Sequence, residues 1–252
     1  MQAALPNLIP VPGRMEQDSS KRDPRRPLII ALDVSSAAAA QKIVAAVGDS
    51  AFTYKVGMQL FTAAGPQVVS DLVASGRRVF LDLKYHDIPN TVEGAVSEAA
   101  RLGVSMLTVH AAGGSKMLRS AVKAAHARPG LTVVAVTVLT SMDENDLEKI
   151  GVRGGVADAV LRLARLALAE GCHGVVASAH ETSRLRAELG DDFVIVNPGV
   201  RPVGSAVGDQ VRVLTPAQAI AAGASYIVVG RPITEAADPA AAAREILGQI
   251  SK

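Results

Sequence analysis

Eight short runs rich in valine and isoleucine recur along the chain from residue 28 onward, and alanine- or leucine-rich segments separate them. Strands that are apolar on both faces and alternate with helices are typical of a parallel sheet covered by helices. Eight such units in about 225 residues match the usual size of a closed (β/α)8 barrel. The predicted strands are LIIALDV (28–34), TYKVGM (53–58), RVFLDLK (78–84), MLTVHA (106–111), LTVVAVTVL (131–139), GVVASA (174–179), FVIVNPG (193–199) and YIVVGR (226–231).

The segments between and after these runs have the apolar spacing of helices, and several begin at Ser, Thr or Asn and end at Gly. The alternative architecture is a doubly wound open sheet. The first strand is followed by DVSSAAAA, not by the glycine-rich G-x-G-x-x-G turn of a dinucleotide-binding domain, and no P-loop is present. The predicted helices cover 35–47, 62–76, 90–103, 115–127, 156–171, 181–190, 215–224 and 239–250.

Composition and the N-terminal segment limit the possible domain organisation. Residues 1–26 are interrupted by prolines at 6, 10 and 12 and have no apolar stretch of signal-peptide length, so we expect a disordered leader. Residues 27–252 show no break in composition, which predicts a single barrel domain. The longest uncharged apolar run, LTVVAVTVLTSM from 131, is too short to span a bilayer.

Charge and residue usage argue against several classes of partner. The net charge is +2, aromatic residues make up 3% of the chain, and tryptophan is absent, so a nucleic-acid partner is not expected. No membrane partner is expected either. The single cysteine, Cys172, excludes an intrachain disulfide and, with no export signal, favours the cytoplasm.

Four charged residues of alternating sign stand at the ends of the first three predicted strands: Asp33, Lys55, Asp82 and Lys84. Side chains two apart on a strand share a face, and active sites of such barrels lie at the C-terminal ends of the strands. The four side chains should therefore converge on one rim. Taken singly, each could be a solvated rim residue, and together they could form a structural salt-bridge network. Buried charge clusters are inefficient stabilisers, however, and are tolerated mainly at functional sites.

Later strand ends contribute further polar residues. His110 lies near the end of the fourth predicted strand, and both orientations of its side chain, into the site and away from it, stay open. Thr140 and Ser141 follow the fifth strand. The five histidines lack H-x-H or H-E-x-x-H spacing, so no metal site is predicted.

The loops after the seventh and eighth strands predict a phosphate site, as is common in these barrels. They supply Arg201, Gln210, Gly230 and Arg231, and two arginines with free backbone N–H groups suit a phosphate monoester. The alternative is that both arginines are solvated loop residues. The glycine-rich loop 200–214 suits a lid that closes over a ligand.

The run DLKYHDIPNT, preceded by ALDV and YKVG and followed by VTVLTSM, NPGVRP, GDQ and VVGRP, closely resembles the bacterial orotidine 5′-phosphate decarboxylase family from about residue 28 to the last helix. The resemblance implies conversion of orotidine 5′-phosphate (OMP) to uridine 5′-phosphate (UMP) and CO₂ in pyrimidine biosynthesis, without metal or organic cofactor. It also implies a homodimer with the active site at the subunit interface.

The resemblance assigns roles by position. Lys84 would protonate C6 of the pyrimidine, Asp82 would lie beside the substrate carboxylate, and Lys55 would join the network and reach the ribose. Asp87 would enter from the other subunit. The expected substrate-binding residues are Asp33, Lys55, Ile88, Thr91, Thr140, Ser141, Arg201, Gln210, Gly230 and Arg231.

Two rival functions stay open at this point. One is a Mg²⁺-dependent sugar-phosphate decarboxylase or synthase of the same barrel group, which shares the D-x-K-x-x-D pattern. The other is a non-catalytic protein that binds phosphate ligands, for which Lys84 would be dispensable. A lysine among carboxylates suits a reaction that leaves an electron pair on carbon, since opposite charges favour the cationic form of lysine.

Overall fold

The computed structural model describes residues 27–202 and 214–250. Eight parallel strands pair in sequence order and close into a barrel. The predicted (β/α)8 barrel is confirmed, and the open-sheet alternative is wrong. The predicted leader (1–26) and Gln210 lie outside the described residues. The strands are β1 Leu28–Ala31, β2 Thr53–Gly57, β3 Arg78–Tyr85, β4 Met106–His110, β5 Thr132–Val136, β6 Gly174–Val176, β7 Val194–Asn197 and β8 Tyr226–Val229.

Strand β1 shows why these segments form a barrel. All four of its residues are buried, so both of its faces must be covered. One neighbour is β2, where Ala31 pairs with Lys55. The other is β8, where Leu28 pairs with Ile227, and this pairing closes the ring.

The strands separate two hydrophobic clusters. The outward-facing side chains pack under the helices and form the larger core, which includes Leu28, Ile30 and Leu81. The inward-facing side chains fill the barrel below the charged rim, as expected for a packed barrel interior. The interior cluster consists of Ile29, Ala31, Phe80, Met106, Val134, Val196, Tyr226 and Val228.

Eleven α-helices and two short 3₁₀ helices are present in the described residues. Capping fits the expected chemistry: the side chain of Ser36 accepts a hydrogen bond from the Ala39 amide, and Thr215 forms a capping box with Gln218. The α-helices are α1 Ala37–Val47, α2 Met58–Ala64, α3 Gln67–Ala74, α4 Pro89–Arg101, α5 Gly114–Ala125, α6 Glu144–Lys149, α7 Val156–Ala169, α8 Ala179–Leu189, α9 Pro216–Ala221, α10 Arg231–Thr234 and α11 Pro239–Ile250.

The predicted helix over 62–76 is wrong as a single element. Helix α2 already begins at Met58, which the sequence placed in a strand, and it ends where Gly65 adopts φ 68°. Pro66 is the N-cap residue of α3, which begins at Gln67. Helices α6 and α10 were not predicted.

No helix in the described part of the chain is long and apolar enough to cross a membrane.

Candidate active site

The C-terminal half of β3 carries the central charge pair. The ammonium of Lys84 donates to both carboxylate oxygens of Asp82, at 2.9 and 3.0 Å. The side chains are largely withdrawn from solvent, at 27% exposed for Lys84 and 14% for Asp82. Their attraction is therefore screened less than that of a surface ion pair.

Strand parity does not by itself explain this contact, because β3 is irregular here. Leu81 pairs with Leu107 and Tyr85 pairs with Val109, so four steps along β3 match two steps along β4. Within the described residues, Lys84 is the one non-glycine residue with positive φ, at 52°. A bulge of this kind redirects a side chain, and such bulges are frequent beside active sites.

The Lys84 backbone amide is held by a side chain. It donates to the hydroxyl of Thr108 at 2.8 Å, and that hydroxyl donates to the Asp82 carboxylate at 3.0 Å. Thr108 lies in the middle of β4 and is fully buried. Thr108 is a site residue that the sequence pattern did not predict. The sequence feature that marks Thr108 as a site residue is a hydroxyl on the inward face of β4, between Met106 and His110 in an otherwise apolar strand.

Lys55 extends the charge network to the first strand. Its ammonium donates to Asp33, which follows β1, at 2.8 Å and lies 3.8 Å from Asp82. The side chain of Lys55 is 12% exposed, whereas that of Asp33 is 57% exposed. The structure thus brings four charges of alternating sign, Asp33, Lys55, Asp82 and Lys84, to one rim of the barrel.

Three other expected site residues do not join this network within one chain. Asp87, Ile88 and Thr91 are exposed in the turn after β3 and the first turn of α4. The carboxylate of Asp87 accepts a hydrogen bond from the Ile88 amide at 2.6 Å. In the described residues, no ion pair connects Asp87 with Lys84.

His110 lies at the inward-facing end of β4 and stacks on His86, with ring centroids 5.2 Å apart and an angle of 22° between the planes. Its Nδ1 atom is buried and has no hydrogen-bond partner among the described residues. Burial lowers the pKa of His110, and the nearby His86 and Lys84 lower it further. The neutral form of His110 is therefore favoured beside the Lys84 ammonium.

The expected phosphate residues lie at the ends of β7 and β8. Arg201 is 9% exposed, its backbone amide donates to the Leu214 carbonyl at 3.1 Å, and its Nε finds no hydrogen-bond partner in the described part of the chain. Gly230 and Arg231 lie where β8 enters α10. A Cβ on Gly230 would lie 3.9 Å from the Asp33 carboxylate, so this segment borders the charge network.

Thr140 and Ser141 form the turn after β5, Thr140 half-buried and Ser141 exposed. No group of three or more His, Cys, Asp or Glu residues within the described ranges could hold a metal ion. The rim thus offers two ammonium groups that alternate with two carboxylates, and Arg201 and Arg231 follow the neighbouring strands β7 and β8. Such an arrangement can bind an anionic ligand and stabilise negative charge as it develops on that ligand.

Comparisons with known proteins identify the family of the chain. The family model of the orotidine 5′-phosphate decarboxylase / HUMPS family matches residues 26–246. The chain is 52% identical over 229 residues to the orotidine 5′-phosphate decarboxylase of Afipia carboxidovorans, covering 91% of this chain and 96% of that relative. It is 53% identical over 223 residues to the enzyme of the same name from Anaeromyxobacter dehalogenans, covering 88% and 97%.

A solved structure agrees as well. The crystal structure of orotidine 5′-phosphate decarboxylase from Lactobacillus acidophilus superposes with a TM-score of 0.82 at 41% identity, covering 90% of this chain and all of that one. The family match and these relatives span nearly the whole barrel. The chain belongs to the orotidine 5′-phosphate decarboxylase / HUMPS family.

Proposed function

We propose that this protein decarboxylates OMP to UMP and CO₂ in pyrimidine biosynthesis, with Lys84 as the proton donor. The observation that carries the proposal is the rim of four alternating charges, in which the Lys84 ammonium is held by the carboxylate of Asp82. Relatives about 52% identical are named for this reaction and match nearly the whole barrel, which favours it over the sugar-phosphate alternative.

The reaction breaks the bond between C6 of the pyrimidine and its carboxylate. CO₂ leaves without the bonding electrons, and the electron pair stays on C6. A fixed cation beside C6 lowers the energy of that developing charge, because it needs no reorganisation during the step. The Lys84 Nζ then transfers a proton to C6 to give UMP, and the resulting amine takes a proton from solvent.

Asp82 and Lys55 prepare this cation. Asp82 accepts hydrogen bonds from the Lys84 ammonium. The negative charge of Asp82, beside the substrate carboxylate, raises the energy of the bound substrate more than that of the transition state. Lys55 lies 3.8 Å from Asp82 and 2.8 Å from Asp33, so it links the reacting end to the ribose. Asp33 and Thr91 would bind ribose hydroxyls, and Thr140 and Ser141 would contact the pyrimidine.

Arg201, Gln210, Gly230 and Arg231 are assigned to the phosphate. The buried Arg201, whose Nε has no hydrogen-bond partner among the described residues, supports this assignment. Phosphate binding is remote from the reacting bond, so its energy can hold the substrate against the repulsion at Asp82. The chemistry assigned to these residues uses no metal or organic cofactor.

The substrate is tested with the purified protein, OMP and EDTA, by following ultraviolet absorbance. Conversion to UMP in EDTA is expected. A folded protein that leaves OMP unchanged but acts on a keto-sugar phosphate after addition of Mg²⁺ would instead establish the alternative. A protein that binds UMP but turns over neither substrate would be the non-catalytic binder.

We also infer a homodimer that shares its active sites. The exposed positions of Asp87, Ile88 and Thr91 support this inference, since a second subunit could place Asp87 against Lys84. Lys84→Ala and Asp87→Ala proteins, each inactive alone, should regain activity when mixed and allowed to exchange subunits, because one site in the heterodimer then keeps both residues. Heterodimers that stay inactive would argue against a shared site.

Residues 27–252 are proposed to act as one catalytic domain. A cytoplasmic location is proposed for the enzyme, since the single cysteine, Cys172, is buried and free, as suits a reducing compartment.

A further inference from the structure

A single buried hydroxyl, that of Thr108, connects the two residues that carry the proposed chemistry. It accepts a hydrogen bond from the Lys84 amide at 2.8 Å and donates one to Asp82 Oδ1 at 3.0 Å. The direction of both bonds is fixed, because an amide can only donate and a carboxylate can only accept. The single proton of the hydroxyl is thereby committed to Asp82.

The bulge in β3 makes this hydroxyl necessary for the Lys84 backbone. Four residue steps of β3 span two steps of β4, so the regular ladder is interrupted between Leu81 and Tyr85. The Lys84 amide donates instead to the Thr108 side chain. A buried amide without a partner is costly, and a lysine with φ near 52° is already in a disfavoured conformation. The Thr108 hydroxyl therefore stabilises an irregular backbone at the reacting residue.

The second bond of the hydroxyl acts on the other end of Lys84. Asp82 Oδ1 accepts from both Thr108 and the Lys84 ammonium, so orienting this carboxylate also orients the ammonium. Threonine suits this task, because its branched side chain has few rotamers in a strand. One side chain thus fixes the main chain of Lys84 and, through Asp82, its reactive nitrogen.

We propose that Thr108 is a positioning residue for decarboxylation, and that its hydroxyl sets the placement of Lys84 and Asp82 against the substrate. The inference rests on the proposed roles of Lys84 and Asp82. Displacements below 1 Å at a reacting group change rates strongly. Loss of the hydroxyl should therefore lower kcat. The KM for OMP and the affinity for UMP should stay unchanged, because the phosphate contacts are remote from Thr108.

Two matched pairs isolate the hydroxyl. Threonine and Thr108→Val have nearly the same shape, and Thr108→Ser and Thr108→Ala differ by one oxygen atom. We expect kcat to fall about tenfold to a hundredfold in Thr108→Val and in Thr108→Ala relative to Thr108→Ser. Thr108→Ser should stay within about threefold of the wild type, with KM for OMP unchanged within about threefold in all variants. Thr53→Val, at a buried threonine of β2 outside the charge network, should leave kcat unchanged.

The outcomes separate this inference from the proposed function. Wild-type turnover of OMP and its loss in Lys84→Ala are measured first, and failure there would overturn both. If they hold and Thr108→Val keeps the wild-type kcat, the positioning role alone is wrong. Equal losses in Thr108→Ser and Thr108→Val would assign the effect to packing of the methyl group and overturn the inference. Unfolding of both hydroxyl-free variants would make the hydroxyl a stability element and overturn it too.

Discussion

Lys55 is held between two carboxylates, and the space for its ammonium depends on a neighbouring glycine. Gly57 follows two residues later on the same face of β2 and pairs in register with Asp82. A Cβ built on Gly57 would lie 2.8 Å from Lys55 Nζ and 3.2 Å from Asp33 Oδ1. The glycine is thus required by the close approach of the ammonium, since its φ of −94° suits any residue.

Gly57→Ala should therefore displace the Lys55 ammonium without unfolding the barrel. We expect kcat/KM for OMP to fall about tenfold, because the lysine must move by several tenths of an ångström. The free energy of unfolding should change by less than about 1 kcal/mol, since the side chain that gives way is flexible. Steady-state kinetics and urea unfolding measure both.

Gly94→Ala is the matched control, because a Cβ on Gly94 in α4 meets nothing within 4 Å. It should keep the wild-type kcat/KM and gain up to about 1 kcal/mol of stability from better helix propensity. Equal kcat/KM in Gly57→Ala and the wild type would show that the placement of Lys55 is not critical.

Single residues also show what sequence can and cannot predict. Parity along β3 predicts that Asp82 and Lys84 meet, and their side chains do meet. Their contact depends on the left-handed backbone conformation of Lys84 within a bulge. No local sequence pattern predicts this conformation, because lysine rarely adopts it. Thr108 was missed for a related reason: its role depends on the register of β4 against the bulge.

At the scale of elements, Arg186 near the end of α8 ties together two strands. Its guanidinium donates to the Phe193 carbonyl at 2.9 Å, just before β7, and to the Gly223 carbonyl at 3.0 Å, before β8. It also lies over the Phe193 ring, 4.5 Å from the centroid. This contact anchors the N-terminal ends of β7 and β8, opposite the active site.

Arg186→Ala should lower the free energy of unfolding by about 2–4 kcal/mol, because it removes charge-assisted hydrogen bonds to carbonyls and a cation–π contact. Urea unfolding measures this, with Arg165→Ala as the control. Arg165 forms an exposed ion pair with Glu188, so its loss should cost at most about 1 kcal/mol. Similar losses in both variants would contradict the anchoring role.

The elements themselves were predictable to different degrees. Strand positions follow from the apolar runs, although most strands end earlier than the runs do. The split between α2 and α3 was signalled by Gly65 and Pro66, a pair that ends helices. Helix α6 carries a capping box at Asp143, but its six residues are too few for a periodic pattern.

At the scale of the whole molecule, stability should depend on pH through two half-buried histidines. Burial lowers the pKa of His110 and of His173, whose Nδ1 accepts the Val133 amide at 3.1 Å. Both remain neutral in the folded protein at pH values where the unfolded chain is protonated. Stability from these groups is thus complete above about pH 6.5 and falls as pH drops through the folded pKa values.

The Tm should accordingly decrease between pH 8 and pH 5, and the decrease should shrink in a His110→Gln/His173→Gln double variant. His180→Gln, at an exposed histidine, should keep the full decrease. Thermal unfolding at several pH values provides the test. The same pH dependence in the double variant and the wild type would show that other groups cause it.

Closure of the barrel was predictable, because eight repeats of one unit match a known ring size and the strands are apolar on both faces. The completion of the site was not predictable from residue patterns alone. Asp87, Ile88 and Thr91 lie exposed on one chain, so the roles proposed for them require the homodimer that we infer.

The central claim is that the Lys84 ammonium performs the reaction, and kcat for OMP in Lys84→Ala tests it most directly. We expect kcat to fall at least about a thousandfold, since the variant loses both the stabilising charge and the proton donor. Binding of UMP should persist, and Lys42→Ala, on the outer face of α1, should keep the wild-type kcat. A folded Lys84→Ala protein with kcat within tenfold of the wild type would contradict the account.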